Sequence, residues 1–346
     1  MNQYAEELRS TAKAMVAPGR GILAMDESNS TCNKRFSANG IDTTEDKRRD
    51  YRELILKAPQ LSNYISGAIL YDETIRQSTR DGVPLTQVMK EAGIIIGIKV
   101  DMKAKDLAMC PGEKVTEGLD GLRDRIAEYY EMGARFAKWR AVIAIGDGIP
   151  SRTCIEANAH ALARYAALCQ EGGLVPIVEP EVLINGDHTI ERCYEVTDET
   201  LHAVFNELYR QRVEFDQMIL KPSMVISGQD CPTQASVEEV ADATIKCLLK
   251  NVPASVTGIA FLSGGQSEEQ ATAHLNQMNA KYGDTLPWRV TFSYARAIQQ
   301  PALNHWKGED SNVEQAQKLL VERAKLNGAA SQGEYTADME KEPALV

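Results

Sequence analysis

Eight short apolar runs recur along the chain, each followed by a longer segment whose apolar residues return every three or four positions. They are GILAMD (21–26), YISGAIL (64–70), IIIGIKV (94–100), FAKWRAV (136–142), LVPIVEP (174–180), QMILKPS (217–223), GIAFLSG (258–264) and RVTFSY (289–294). Near-continuous apolar runs suit strands covered on both faces. The segments between them, such as 151–171, 189–212 and 234–250, carry the helical period. Eight strand–helix units predict a (β/α)8 TIM barrel, and 346 residues suit one such barrel with extensions at both ends. The rival is a doubly wound open sheet, which usually announces itself with G-x-G-x-x-G after its first strand; the sequence has none. Ala5, Leu8, Ala12 and Met15 mark a helix ahead of the first strand. Ser311 and Glu314 have capping-box spacing for a last helix that Gly328 could stop. The expected division is a barrel domain over 1–330 and a polar, mobile tail over 331–346.

Composition removes several function classes. The net charge is −11 and aromatics are 6%, so neither a basic surface nor stacking platforms favour nucleic acid. No run approaches the ~20 apolar residues of a membrane helix, and the N-terminus lacks a signal-peptide core. The seven cysteines are scattered without a CxxC pair, which argues against a disulfide framework or zinc site and fits a reducing cytoplasm. The histidines at 160, 188, 202, 274 and 305 form no ligand-like pair, so no metal or cofactor is expected.

Charges interrupt the apolar runs at one end. Barrel enzymes place their chemistry at the C-terminal ends of the strands, and strand residues two apart share a face. Asp26 ends the first run and Lys99 lies near the end of the third. Lys138 and Arg140 share a face of the fourth, Glu179 and Glu181 of the fifth, and Lys221 ends the sixth. Any one of these alone reads as a strand-end charge reaching solvent. Seven together point to a site, with a purely structural ion-pair network as the alternative. Lys221 follows Met218, Ile219 and Leu220. Burial and nearby cations both favour the neutral amine that covalent lysine chemistry requires. In LSGGQSEEQ (262–270), Gly264 and Gly265 precede a helix start marked by Ser267 and Gln270, and Arg296 follows the eighth run. Backbone amides at such a turn, with a guanidinium, suit a phosphate.

The motifs GILAMDES (21–28), GIKVD (97–101), FAKWR (136–140), PIVEPE (176–181), ILKPSMV (219–225), LSGGQSEE (262–269) and FSYARA (292–297) resemble those of class I fructose-bisphosphate aldolases. MDESN and KPSMV look most like the plastid and cyanobacterial branch. The resemblance implies a metal-independent, reversible cleavage of fructose 1,6-bisphosphate to dihydroxyacetone phosphate and glyceraldehyde 3-phosphate. It further implies that Lys221 forms the imine, Glu179 is the acid/base, and Asp26 lies near the C4 hydroxyl. Lys138 would steady charge, with Glu181 orienting it. Ser263, Gly264, Gly265 and Arg296 match the first phosphate site, and Ser28, Lys34 and Arg35 lie near the second, with Lys99 and Arg140 as further site cations. Sedoheptulose bisphosphate as a second substrate, a homotetramer, and a plastid stroma (were a transit peptide removed) fit the same resemblance. Animal and plant members typically end in a tyrosine that helps protonate the enamine. This sequence ends Pro-Ala-Leu-Val, with Tyr335 eleven residues earlier. A transaldolase-like transferase and an idle sugar-phosphate-binding scaffold are the competing readings.

Overall fold

The structure is a computed structural model that describes residues 3–341. Each of the eight apolar runs forms a strand. In chain order the strands are β1 (Gly21–Ala24), β2 (Ile65–Leu70), β3 (Ile95–Lys99), β4 (Ala104–Asp106), β5 (Lys114–Thr116), β6 (Phe136–Ile143), β7 (Val175–Val182), β8 (Ile219–Leu220), β9 (Gly258–Phe261) and β10 (Arg289–Phe292). Eight of them pair in parallel in the order β1-β2-β3-β6-β7-β8-β9-β10. The ring closes between β10 and β1 through single bonds: Ala24 N–H donates to the Tyr294 carbonyl (3.0 Å) and the Thr291 hydroxyl to the Arg20 carbonyl (2.7 Å). This is the (β/α)8 barrel that the strand–helix alternation predicts. The sequence reading did not anticipate β4 and β5, an antiparallel hairpin in the connection after β3.

The two-residue alternation of strand side chains divides the core in two. Leu23, Ala137, Trp139, Ala141, Val178 and Leu220 face outward into a large cluster shared with the surrounding helices. Ile22, Ala24, Ile69, Phe136, Val175, Ile177, Ile219 and Ala260 face inward, and Leu8, Ala12 and Met15 of the N-terminal helix (Ala5–Met15) join them. That helix presents its apolar stripe to the start of the barrel and plugs it. The inward positions thus turn from apolar to charged along four of the strands: Phe136 then Lys138, Ile177 then Glu179, Ile219 then Lys221, Ala24 then Asp26.

The helical segments form as Arg152–Glu171, Ile190–Arg210 and Val237–Asn251, capped by Ser151, Thr189 and Ser236. Ser267 caps Glu268–Tyr282 by accepting from Gln270 N–H at 3.1 Å. Two boundary expectations differ. The last helix begins at Val313 after a 3-10 turn (Asp310–Asn312), with Asn312 at the cap position and no side-chain bond there, so Ser311 and Glu314 do not form a capping box. Nor does Gly328 stop that helix, which continues to Ala330. Gly328 is instead a contact glycine: a Cβ there would lie 2.7 Å from the Gly19 carbonyl oxygen. Beyond the helix, residues 331–341 pack back on the molecule. Tyr335 is 9% exposed, takes Asn276 Oδ1 on its N–H (2.9 Å), and donates its hydroxyl to Glu340 (2.9 Å). The rest of the expected tail, 342–346, lies outside the described residues.

Phe136 fills the barrel interior because Gly67 and Gly97 on neighbouring strands leave room for its ring; a Cβ at Gly97 would sit 2.1 Å from it. We expect Gly97→Ala to destabilise the protein by about 1–3 kcal/mol or more through overpacking, read by denaturant unfolding. Combining it with Phe136→Leu should restore part of the loss.

Candidate active site

The charged inward positions meet at the C-terminal end of the barrel. Glu179, on β7, and Lys138, on β6, lie on adjacent strands. Lys221 directly follows β8, where its N–H bonds the Val178 carbonyl (2.8 Å) and so continues the ladder. Asp26 lies two residues beyond β1. Lys138 Nζ reaches Asp26 Oδ2 at 2.7 Å and Glu179 Oε2 at 3.3 Å, while Lys221 Nζ is 3.3 Å from Glu179 Oε1. All four residues are at least nine-tenths buried.

Desolvation alone would make such a cluster expensive. Burial pushes the Asp26 carboxyl up, but the charges of Lys138 and Lys221 overcome it and bring it down to about 2. Burial likewise works against the Lys138 ammonium, and Asp26 and Glu179 more than reverse that, holding it firmly protonated. Glu179 Oε2 makes no hydrogen bond among the described residues; its contact with the Lys138 ammonium at 3.3 Å is an ion pair only.

Alongside, Glu181 takes Arg140 Nε, and Asp101 takes Lys99 Nζ. Asp101 also accepts from Lys99's own loop, through Lys103 N–H (3.1 Å), and from Arg140 N–H (3.3 Å). Burial lowers Lys99, although Asp101 opposes it. Asp101 and Glu27 went unremarked in the sequence, although Asp101 shares a face with Lys99 by the same two-residue rule that found the others.

The loop after β9 carries the second group. Ser263 is buried, and Gly264 and Gly265 adopt φ of +59° and +101°, values that side-chain-bearing residues avoid. A Cβ at Gly265 would lie 3.6 Å from Arg296 Nη2, so the guanidinium rests against the turn. Leu262 N–H bonds the Pro222 carbonyl (3.2 Å), tying this turn to the residue after Lys221. Gln266, buried, returns its amide to the Ser263 carbonyl (3.0 Å) and is itself held by His274 Nδ1 (2.6 Å). Ser28, Lys34 and Arg35 fall together on or before one helix (Asn29–Ala38) but differ in environment. Ser28 is buried and shares hydroxyl contacts with Ser30 and Thr31; Lys34 is exposed. Arg35 is held by Glu27, Gln299 and Gln300 in a network that also takes in Tyr51.

The family model for class-I fructose-bisphosphate aldolase matches residues 7–345. The chain belongs to the class-I fructose-bisphosphate aldolase family. A probable class 1 fructose-bisphosphate aldolase of Xanthomonas campestris pv. campestris is 63% identical over 331 residues, covering 95% of this chain and 98% of that one. Chloroplastic fructose-bisphosphate aldolase 3 of Arabidopsis thaliana is 50% identical over 341 residues, covering 99% and 86%. The aldolase of Plasmodium falciparum, solved with TRAP and a small-molecule inhibitor, superposes with a TM-score of 0.95 at 44% identity over 97% of each chain. Among the described residues no group of three or more His, Cys, Asp or Glu is placed to hold a metal ion, and no helix is long and apolar enough to cross a membrane.

Asp26 yields an acid-stability test. Its carboxyl is depressed in the folded protein, so the stability it contributes is present above the ordinary value of 3.8 and is lost as pH falls through about 2. The stability difference between the native chain and Asp26→Asn should therefore be constant near neutrality and shrink between those two values, as measured by urea unfolding at stepped pH.

Proposed function

We propose that the protein cleaves fructose 1,6-bisphosphate reversibly through an imine on Lys221, and that the observation carrying this is the buried Lys221–Glu179–Lys138–Asp26 cluster in a member of this family. The Lys221 amine adds to the C2 ketone, and the carbinolamine loses water to give an iminium. Glu179, whose Oε1 lies 3.3 Å from that nitrogen, delivers and removes the protons of dehydration. The C3–C4 bond then breaks. Its electron pair enters the iminium to form an enamine, the C4 hydroxyl loses its proton, and glyceraldehyde 3-phosphate departs. Protonation at C3 and hydrolysis of the iminium release dihydroxyacetone phosphate and restore the amine.

The environment divides the roles of the carboxylates. A carboxyl held down at about 2 is a weak base at neutral pH, so Asp26 orients the C4 hydroxyl and fixes Lys138, and Glu179 carries protons. Lys138 stays a cation beside the reacting carbon atoms, and Glu181 with Arg140 borders it. Ser263, the Gly264 and Gly265 amides and Arg296 would hold one phosphate, close to Lys221 because Leu262 is bonded to Pro222. Ser28 marks the side on which the other phosphate lies, with Lys99 and Arg140 nearby. In this proposal no metal takes part, because the iminium is the electron sink. Sedoheptulose bisphosphate as a further substrate, a homotetramer and a cytoplasmic location belong to the same proposal.

The test is covalent trapping. With fructose 1,6-bisphosphate and borohydride, peptide mass analysis should place one adduct on Lys221, with and without EDTA, and Lys221→Met should abolish both adduct and cleavage. An adduct elsewhere, or activity that EDTA removes, would overturn the mechanism. A parallel assay with sedoheptulose bisphosphate measures the substrate range.

A further inference from the structure

Gly264 and Gly265 stand at φ +59° and +101° in the turn after β9, and among the described residues neither N–H meets an acceptor. A peptide group is planar and trans, so its C=O and N–H point in opposite directions. Whatever fixes the Ser263 carbonyl therefore aims the Gly264 N–H.

Gln266 fixes that carbonyl twice. Its backbone N–H and its side-chain Nε2 both donate to the Ser263 oxygen, each at 3.0 Å. Nε2 also lies 3.6 Å from Met224 Sδ, in the segment that follows Lys221. Both of those partners are acceptors, so the side-chain amide can be oriented only one way, with Oε1 turned from them. Oε1 meets His274 Nδ1 at 2.6 Å. An amide oxygen cannot donate, so Nδ1 must carry a proton. Burial lowers the imidazole to about 4, which leaves the ring neutral near pH 7 with that single proton on Nδ1.

His274 lies on the helix Glu268–Tyr282, which starts just beyond the same turn, and both it and Gln266 are buried. Its partner is the one side chain that joins this helix to the Ser263 carbonyl and to the segment after Lys221. Without His274 the buried Oε1 loses its donor, and an unsatisfied oxygen favours any rotation of Gln266 that reaches a new one. Such a rotation would release the Ser263 carbonyl and, with it, the direction of the Gly264 amide.

We propose that His274 is a positioning residue for the phosphate of the ketose: acting through Gln266, it holds the Ser263 carbonyl and so aims the Gly264 amide at the anion. This rests on the reading above, in which Lys221 forms the imine and this turn takes one phosphate. His274 itself touches neither the phosphate nor the reacting atoms.

Dihydroxyacetone phosphate and dihydroxyacetone separate phosphate binding from imine chemistry, because both offer a ketone to Lys221 and only one carries the anion. Borohydride trapping on Lys221 is followed in the full-length protein against the concentration of each. His274→Ala should raise the half-saturating concentration of dihydroxyacetone phosphate about tenfold and change trapping by dihydroxyacetone less than about twofold. His274→Asn, whose amide places a donor where Nδ1 was, should recover the affinity to within about threefold of the unsubstituted protein. Gln266→Met keeps the bulk, removes donor and acceptor, and should give the same selective loss, so the test stands even where His274→Ala does not fold. Adding His274→Ala to Gln266→Met should cost less than about a further twofold, because the histidine works through that side chain. Equal losses with both ketones, no loss with the phosphate, or losses that multiply in the double variant would overturn the proposal. Failure of the imine reading looks different: the unsubstituted protein would then give no Lys221 adduct with either ketone, and both would fall together.

Discussion

One carboxylate, Glu179, sits between two buried amines, and most of the barrel's upper half is arranged to make that tolerable. Its oxygens lie 3.3 Å from Lys221 and 3.3 Å from Lys138, and Lys138 is tied in turn to Asp26. The two carboxylates, Asp26 and Glu179, face two amine positions, Lys138 and Lys221. The iminium proposed on Lys221 would carry its positive charge at that spot. On that proposal the cluster is complementary to the covalent intermediate before any substrate arrives, which is how preorganised electrostatics lowers a barrier. Water outside could not offer the same field, because its dipoles would have to reorganise.

Holding those charges requires rigid supports. The inward column of four strands changes from apolar to charged over two residues, as in Phe136 to Lys138 and Ile177 to Glu179. The lower layer is packed tightly, with Phe136 set over Gly97 and Gly67 and the N-terminal helix plugging the base. Packing at this density transmits little slack, so the amines above are placed to within a hydrogen-bond length. The Leu262–Pro222 hydrogen bond extends the same rigidity sideways, from the residue after Lys221 to the glycine turn after β9.

Much of this was legible in the residues. Eight apolar runs gave the barrel, and the period of two picked out Lys138 with Arg140 and Glu179 with Glu181 as pairs on one face. Local spacing could not say which partners meet across strands. Arg140 sits opposite Glu179 in the ladder yet pairs with Glu181, and Lys138 sits opposite Ile177 yet reaches Glu179, because long side chains slant past their direct neighbours. Gly328 read as a stop signal, but its lack of a side chain serves a contact with Gly19, from the far end of the chain. Arg35 stood in a promising motif, and only the fold shows Glu27 and Gln299 holding it.

The charge complementarity around the iminium is best measured in Glu179→Gln, which keeps shape and removes the charge. Rapid mixing with dihydroxyacetone phosphate followed by borohydride quenching gives the rate of imine formation, and equilibrium titration gives the affinity of the initial complex. Imine formation should slow by about a hundredfold or more while initial affinity changes by less than about threefold, in line with losing a preorganised catalytic group. An unchanged rate of imine formation would contradict the central role given to Glu179.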